Sequence, residues 1–149
     1  MKLLFTLTDN IMVSEQVHEE TLRGKEKGYR DAFFRDELIK EGKVKIGNVE
    51  KGEIEEVIVK SGLRKEADAS VMALAMKEKG FVLTEDFRIF SSCLLYGIPS
   101  AKTSELIIFL VEKKLLNRER ALEVLRMMEI RGYNLKAIQE ARVILEGMK

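Results

Sequence analysis

Lys65-Glu66-Ala67-Asp68-Ala69-Ser70-Val71-Met72-Ala73-Leu74-Ala75-Met76-Lys77-Glu78-Lys79-Gly80-Phe81-Val82-Leu83-Thr84-Glu85-Asp86 is the stretch that decides the fold. Ala67, Val71, Leu74 and Ala75 fall on one side of a helix, so residues 65 to 79 read as amphipathic helix with Gly80 as its stop. Phe81-Val82-Leu83-Thr84 is a compact apolar run of the kind a parallel sheet buries on both faces. From Asp68 the helix travels roughly 17 Å to its end. The strand returns roughly 17 Å to Asp86 in the opposite direction. Out and back cancel, so Asp68 and Asp86 share the carboxyl edge of the strands, where open α/β folds place their ligands. Two carboxylates on one edge repel unless a cation or a proton joins them. Hard oxygen donors of this kind suit Mg²⁺ or Mn²⁺. Singly, Asp68 is an ordinary helix-start residue and Asp86 an ordinary turn residue. Their convergence is what points to chemistry.

Upstream, Ile11-Met12-Val13 predicts a brief strand, with Ser14 as the cap of a helix that runs to about Leu22 and stops at Gly24. Tyr29 to Lys40 predicts a second helix closed by Gly42, and Lys43-Val44-Lys45-Ile46 alternates as a strand with one wet face. Ile54 to Lys60 is a short amphipathic piece ended by Ser61-Gly62. Downstream, Phe87 to Tyr96 predicts a helix ending at Gly97, and Ile98-Pro99-Ser100-Ala101 is extended. Strand and helix alternate, which argues for an α/β layered fold. The last third predicts three helices, 104–116, 118–131 and 135–148, with Asn117 and Asn134 as N-caps: a helical tail on an α/β core.

The 149 residues suit a single domain, 1–149, with a sizeable core. A composition 46% apolar and 34% charged excludes disorder as the general state. With 26 Lys+Arg against 25 Asp+Glu the net charge is +1, so a nucleic-acid partner has to be recognised by a local patch. The single cysteine, Cys93, excludes an internal disulfide and a cysteine zinc site, and reads as a small core residue. No apolar run reaches the roughly 20 residues of a membrane span, and no signal-peptide pattern opens the chain, so the expected compartment is the cytoplasm. Abundant Lys, Glu and Arg match the composition of hyperthermophile proteins. His18 reads as a bystander on a helix surface, and the basic stretches Arg23 to Arg30 and Arg64-Lys65 as solvated charge able to touch phosphates.

Residues 65–75 and 81–86, together with Tyr96-Gly97-Ile98-Pro99 and Thr103-Ser104, resemble the core of a PIN domain. Residues 11–20 resemble the family's second strand and the helix carrying its second acid, and residues 24–46 resemble a prokaryotic PIN-like branch. The resemblance implies a three-layer α/β fold, with a short parallel sheet flanked by helices and a helical C-terminal tail. It implies a metal-dependent endoribonuclease that hydrolyses RNA phosphodiesters. Asp68, Asp86 and Glu20 then match the catalytic, metal-holding acids, with Mg²⁺ or Mn²⁺ as cofactor, and Thr84 matches the strand-end hydroxyl. RNA is the implied substrate, and an antitoxin-like protein an implied partner. The family's first strand, ending in an Asp, precedes the segment that here starts at Met1. Lys2 to Leu7 resembles the tail of the helix after it, and Asp9 lies too close to Glu20 to replace that acid. A sheet lacking that strand exposes an edge, so a homodimer or higher oligomer is expected. The competing readings are a catalytically inactive PIN-like module binding RNA or protein, and a helical interaction domain whose acids are all solvated.

Overall fold

A computed structural model describes residues 2–148. They divide into two compact units, the first running to Val82 and including Asp86–Ser100, the second made of Leu83–Glu85 and the described residues from Ala101 on. The architecture is α/β and PIN-like, with eight α-helices and short strands among the described residues.

The first unit opens with a 3-10 helix, Lys2–Thr6, followed by β1, Ile11–Ser14, and α1, Glu15–Glu26. Ser14 caps α1 as expected, its side chain accepting from the Val17 N–H. Gly24 does not stop the helix. Tyr29 and Ala32 pack against the glycine, and the turn falls at Gly28, whose φ of 79° suits glycine. Tertiary packing outweighs the local breaker signal there. α2 spans Arg30–Lys40 and ends before Gly42, which adopts φ 69°. β2, Val44–Gly47, pairs with β1 in parallel, with Ile11 opposite Val44 and Ser14 opposite Gly47.

α3 is Lys51–Ser61 and α4 is Glu66–Glu78. α4 packs against β1, and α3 packs against α4. α4 is the centre of the unit, since Ala69, Met72, Ala73 and Leu74 are all buried with Ile54 and Val57 of α3 in one apolar core. The stop predicted at Gly80 moves one residue upstream. Lys79 takes the left-handed conformation at φ 50°, and Gly80 then donates its N–H to the Ala75 carbonyl at 2.8 Å.

The run predicted as a strand over 81–84 is shorter than expected. β3 is Val82–Leu83, and Phe81 is exposed. It pairs not with β1 and β2 but with β4, Ser100–Ala101, so the β1–β2 sheet and the β3–β4 sheet are two-stranded. Between them lies α5, Phe87–Leu95, which sends Ile89 and Cys93 into the core of the first unit. Cys93 is wholly buried, and that burial pushes its thiol pKa up.

The second unit carries α6, Thr103–Glu112, α7, Arg118–Ile130, and α8, Leu135–Gly147. Asn117 and Asn134 cap α7 and α8 as the sequence predicts, accepting from the Arg120 and Ala137 N–H groups. α6 ends at Glu112, short of the predicted Leu116, because the chain turns through Lys114 at φ 59°. Ile107, Leu110, Leu125, Ile138 and Leu145 are its fully buried core. Of the paired methionines, Met128 is buried and Met127 exposed.

Candidate functional site

Asp68 lies in the first turn of α4, the third residue after the N-cap Lys65. Asp86 is the N-cap of α5, and Glu20 lies on α1. All three belong to the first compact unit. Asp68 is half-buried, whereas Asp86 and Glu20 are exposed.

The electrostatics of Asp68 tie the three together. Burial, first of all, pushes its carboxyl above the ordinary carboxylate range. Lys65 pulls it down, the negative charges of Asp86 and Glu20 push it up, and Arg88 pulls it down more weakly. The charges of Asp86 on α5 and Glu20 on α1 thus both act on Asp68 of α4. β3 pairs differently from the expectation, with β4 and not with β1 and β2. Among the described residues, no group of three or more His, Cys, Asp or Glu stands close enough to hold a metal ion.

Asp86 also has a structural role. Its Oδ1 accepts from the backbone N–H groups of Arg88 at 2.7 Å and Ile89 at 3.2 Å. Both capping hydrogen bonds fall on this one carboxylate oxygen. In the second unit the neighbouring Glu85 accepts from the Thr103 N–H at the start of α6, at 2.8 Å. Thr84 donates its backbone N–H to the Ala101 carbonyl at 3.1 Å. His18, on α1, has its Nδ1 buried without a hydrogen-bond partner among the described residues. Asp9 is exposed and precedes β1.

Some features of this region escape a reading of the chain. Arg88 comes to bear on Asp68 only through the turn from β3 into α5, which no spacing rule discloses. Asp36 on α2 is buried between Lys25 of α1, which donates to it, and Lys40 at 2.8 Å, and the two ammonium groups hold its carboxyl down at about 2. The i,i+4 spacing of Asp36 and Lys40 was the available signal.

A protein-family model described as PIN domain matches residues 1–146, and the chain belongs to that family. PIN domains are in general divalent-metal-dependent nucleases. A search of curated proteins finds no significant match. Among the described residues no helix is long and apolar enough to cross a membrane.

In kind, three carboxylates offer the hard oxygens the family's metal prefers, but among the described residues they do not stand closely enough together to hold it.

Proposed function

We propose that the chain is an endoribonuclease that hydrolyses RNA phosphodiesters, with Asp68, Asp86 and Glu20 as the residues that would hold Mg²⁺ or Mn²⁺. What supports this is membership of the PIN family, together with the placement of all three acids in one compact unit. Such a cation, when bound, supplies a water of lowered pKa and neutralises charge on the phosphate. The protein's own contributions follow from its geometry. Asp68 sits in the first turn of a helix packed in the core, so its backbone is held in place before any ligand arrives. Asp86 is fixed by its two capping hydrogen bonds, both to one carboxylate oxygen. Lys65 and Arg88 keep the local field from becoming wholly repulsive to a polyanion such as RNA.

A second reading, a catalytically inactive module that binds RNA or a protein, is favoured by one observation: Asp86 is already committed to capping α5. Metal-dependent stabilisation separates the two. Mn²⁺ should raise the melting temperature by mass action, by about 2.7 kcal/mol of folding free energy at a hundred times its Kd. Asp68→Asn should abolish most of that rise, and single-stranded RNA should be cut in an EDTA-sensitive way. Absence of both effects leaves the binding module. An antitoxin-like partner and a dimeric state belong to the same proposal and are read by light scattering with and without RNA.

A further inference from the structure

Two aromatic rings stand in solvent where α1 gives way to α2. Tyr29 is 62% exposed and Phe33 44%, and Phe34 beside it is exposed as well. Single apolar residues on a surface are ordinary, but adjoining rings form a patch. Neither Tyr29 nor Phe33 hangs free. The Tyr29 N–H donates to the Gly24 carbonyl at 3.0 Å. Its ring lies against that glycine, with Cδ2 only 3.4 Å from where a Cβ would stand. Phe33 is held from the next residue of α1: the Lys25 ammonium sits 5.6 Å from its ring centroid, and Lys25 is itself tied to the buried Asp36. Both rings are therefore seated on the end of α1, with part of each open to solvent. A flat ligand would meet them already ordered, at little entropic cost.

Cations flank these rings in the chain. Arg23, Lys27 and Arg30 are all exposed, and among the described residues none of them is held in an ion pair or a side-chain hydrogen bond. Their charge is free for a ligand. Glu26 and Asp31 are the acids of the same stretch, so charge supplies a modest attraction and the rings must supply the rest. Open rings beside free cations match the alternation of base and phosphate in a single strand. A duplex keeps its bases stacked on one another and offers such a surface phosphates alone.

We infer that this surface is a stacking platform for single-stranded RNA, with bases on Tyr29 and Phe33 and phosphates on Arg23, Lys27 and Arg30. Stacking tolerates any base, because each has a π-face, so the platform grips RNA without selecting its sequence. The inference shares its ligand, RNA, with the function proposed above. It does not depend on the metal or on Asp68, Asp86 and Glu20.

Fluorescence anisotropy of a labelled mixed-sequence single-stranded RNA, with the full chain in EDTA so that nothing is cut, tests this directly. Tyr29→Leu and Phe33→Leu keep apolar bulk but lose the ring, and each should weaken binding about tenfold or more. Tyr29→Phe keeps the ring and should bind as wild type does. Arg23→Gln combined with Lys27→Gln should flatten the slope of log affinity against log salt by about 1.4, the share of two phosphates on a single strand. Arg126→Gln removes an exposed charge from the second unit and should leave that slope as it is. Duplex RNA should compete poorly for the platform. Circular dichroism melts check that each variant is folded at the assay temperature. Leucine variants that bind RNA as tightly as wild type, or an Arg126→Gln variant that flattens the slope equally, overturn the platform. Wild type that binds no RNA in EDTA overturns it too, while EDTA-sensitive cutting of RNA remains a separate test of the metal reading. If the leucine variants lose self-association by light scattering and keep their RNA affinity, the surface belongs to a second copy of the chain and the inference is refuted.

Discussion

Gly47→Ala is a test of how closely β2 lies against α4. A Cβ built on Gly47 would stand 2.5 and 2.8 Å from the two Leu74 methyl carbons and 3.1 Å from the Met12 methyl. Ordinary carbon–carbon contact needs about 3.5–4.0 Å, so the new methyl overlaps Leu74 by roughly 1 Å. Met12 is flexible and can yield, but Leu74 is only 6% exposed and enclosed by the core. Overpacking of this kind costs about 1–3 kcal/mol. For a chain of this length that is a melting-temperature loss of roughly 3–12 °C. Leu74→Ala alone should cost about 2–5 kcal/mol, by leaving a cavity. The informative variant is the pair. With Leu74 truncated, the Gly47 methyl has room, so Gly47→Ala should then cost close to nothing or recover some stability. The coupling between the sites should be about 1–3 kcal/mol in favour of the double variant. Thermal melts by circular dichroism, with urea titrations for the free energies, supply all the corners of the cycle. Strict additivity, or a Gly47→Ala variant as stable as wild type, would refute the proposed contact and with it the placement of α4 across the strand ends.

Asp36, held at about 2 against an unfolded value of 3.8, contributes stability that is complete above the unfolded value and is lost as pH falls through the folded one. The melting-temperature gap between wild type and Asp36→Asn should therefore narrow between about pH 5 and pH 2, and a constant gap across that window would contradict the ion-pair account. Leu125→Ala, in the core of the second unit, should destabilise by about 2–5 kcal/mol, measured by urea titration. Asn134→Ala removes the acceptor for the Ala137 N–H and should cost about 1 kcal/mol, whereas Asn134→Asp should be close to neutral. Asp68→Asn should raise the melting temperature of the metal-free protein, because it deletes a charge that burial and two neighbouring carboxylates disfavour. A fall would mean that Lys65 and Arg88 dominate the local field.

Much of the secondary structure was legible because short polar side chains announce helix starts. Ser14, Asn117 and Asn134 each accept the backbone hydrogen bond their residue type suggests. Chain ends of helices were read less well. Gly24 and Gly80 look like stops, yet the first is absorbed by packing of α2 and the second yields its left-handed conformation to Lys79. Local signals nominate a breaker, and neighbouring elements decide whether it is used. Strand pairing was the least legible feature. Val82 and Leu83 have the composition of a buried central strand, but which strand lies beside them is a long-range fact that composition does not encode. For the site, the lengths of helix and strand alone nominated Asp68 and Asp86, whereas only family resemblance pointed to Glu20, which lies on a separate helix, α1. The hydrogen bond between the Ser14 and Ser70 hydroxyls, 56 residues apart, had no sequence signal at all.

The two duties of Asp86, the proposed one of charge at the site and the observed one of capping α5, have an evolutionary consequence. Asparagine caps a helix about as well as aspartate does, and the two are separated by a single-nucleotide change. A descendant of this chain could thus surrender the negative charge while its α5 began where it does now. Selection for folding would not see that step; only selection for chemistry would. Position 86 is accordingly where drift from nuclease to silent scaffold would meet the least resistance, and where an asparagine in a related chain would mark that it had happened.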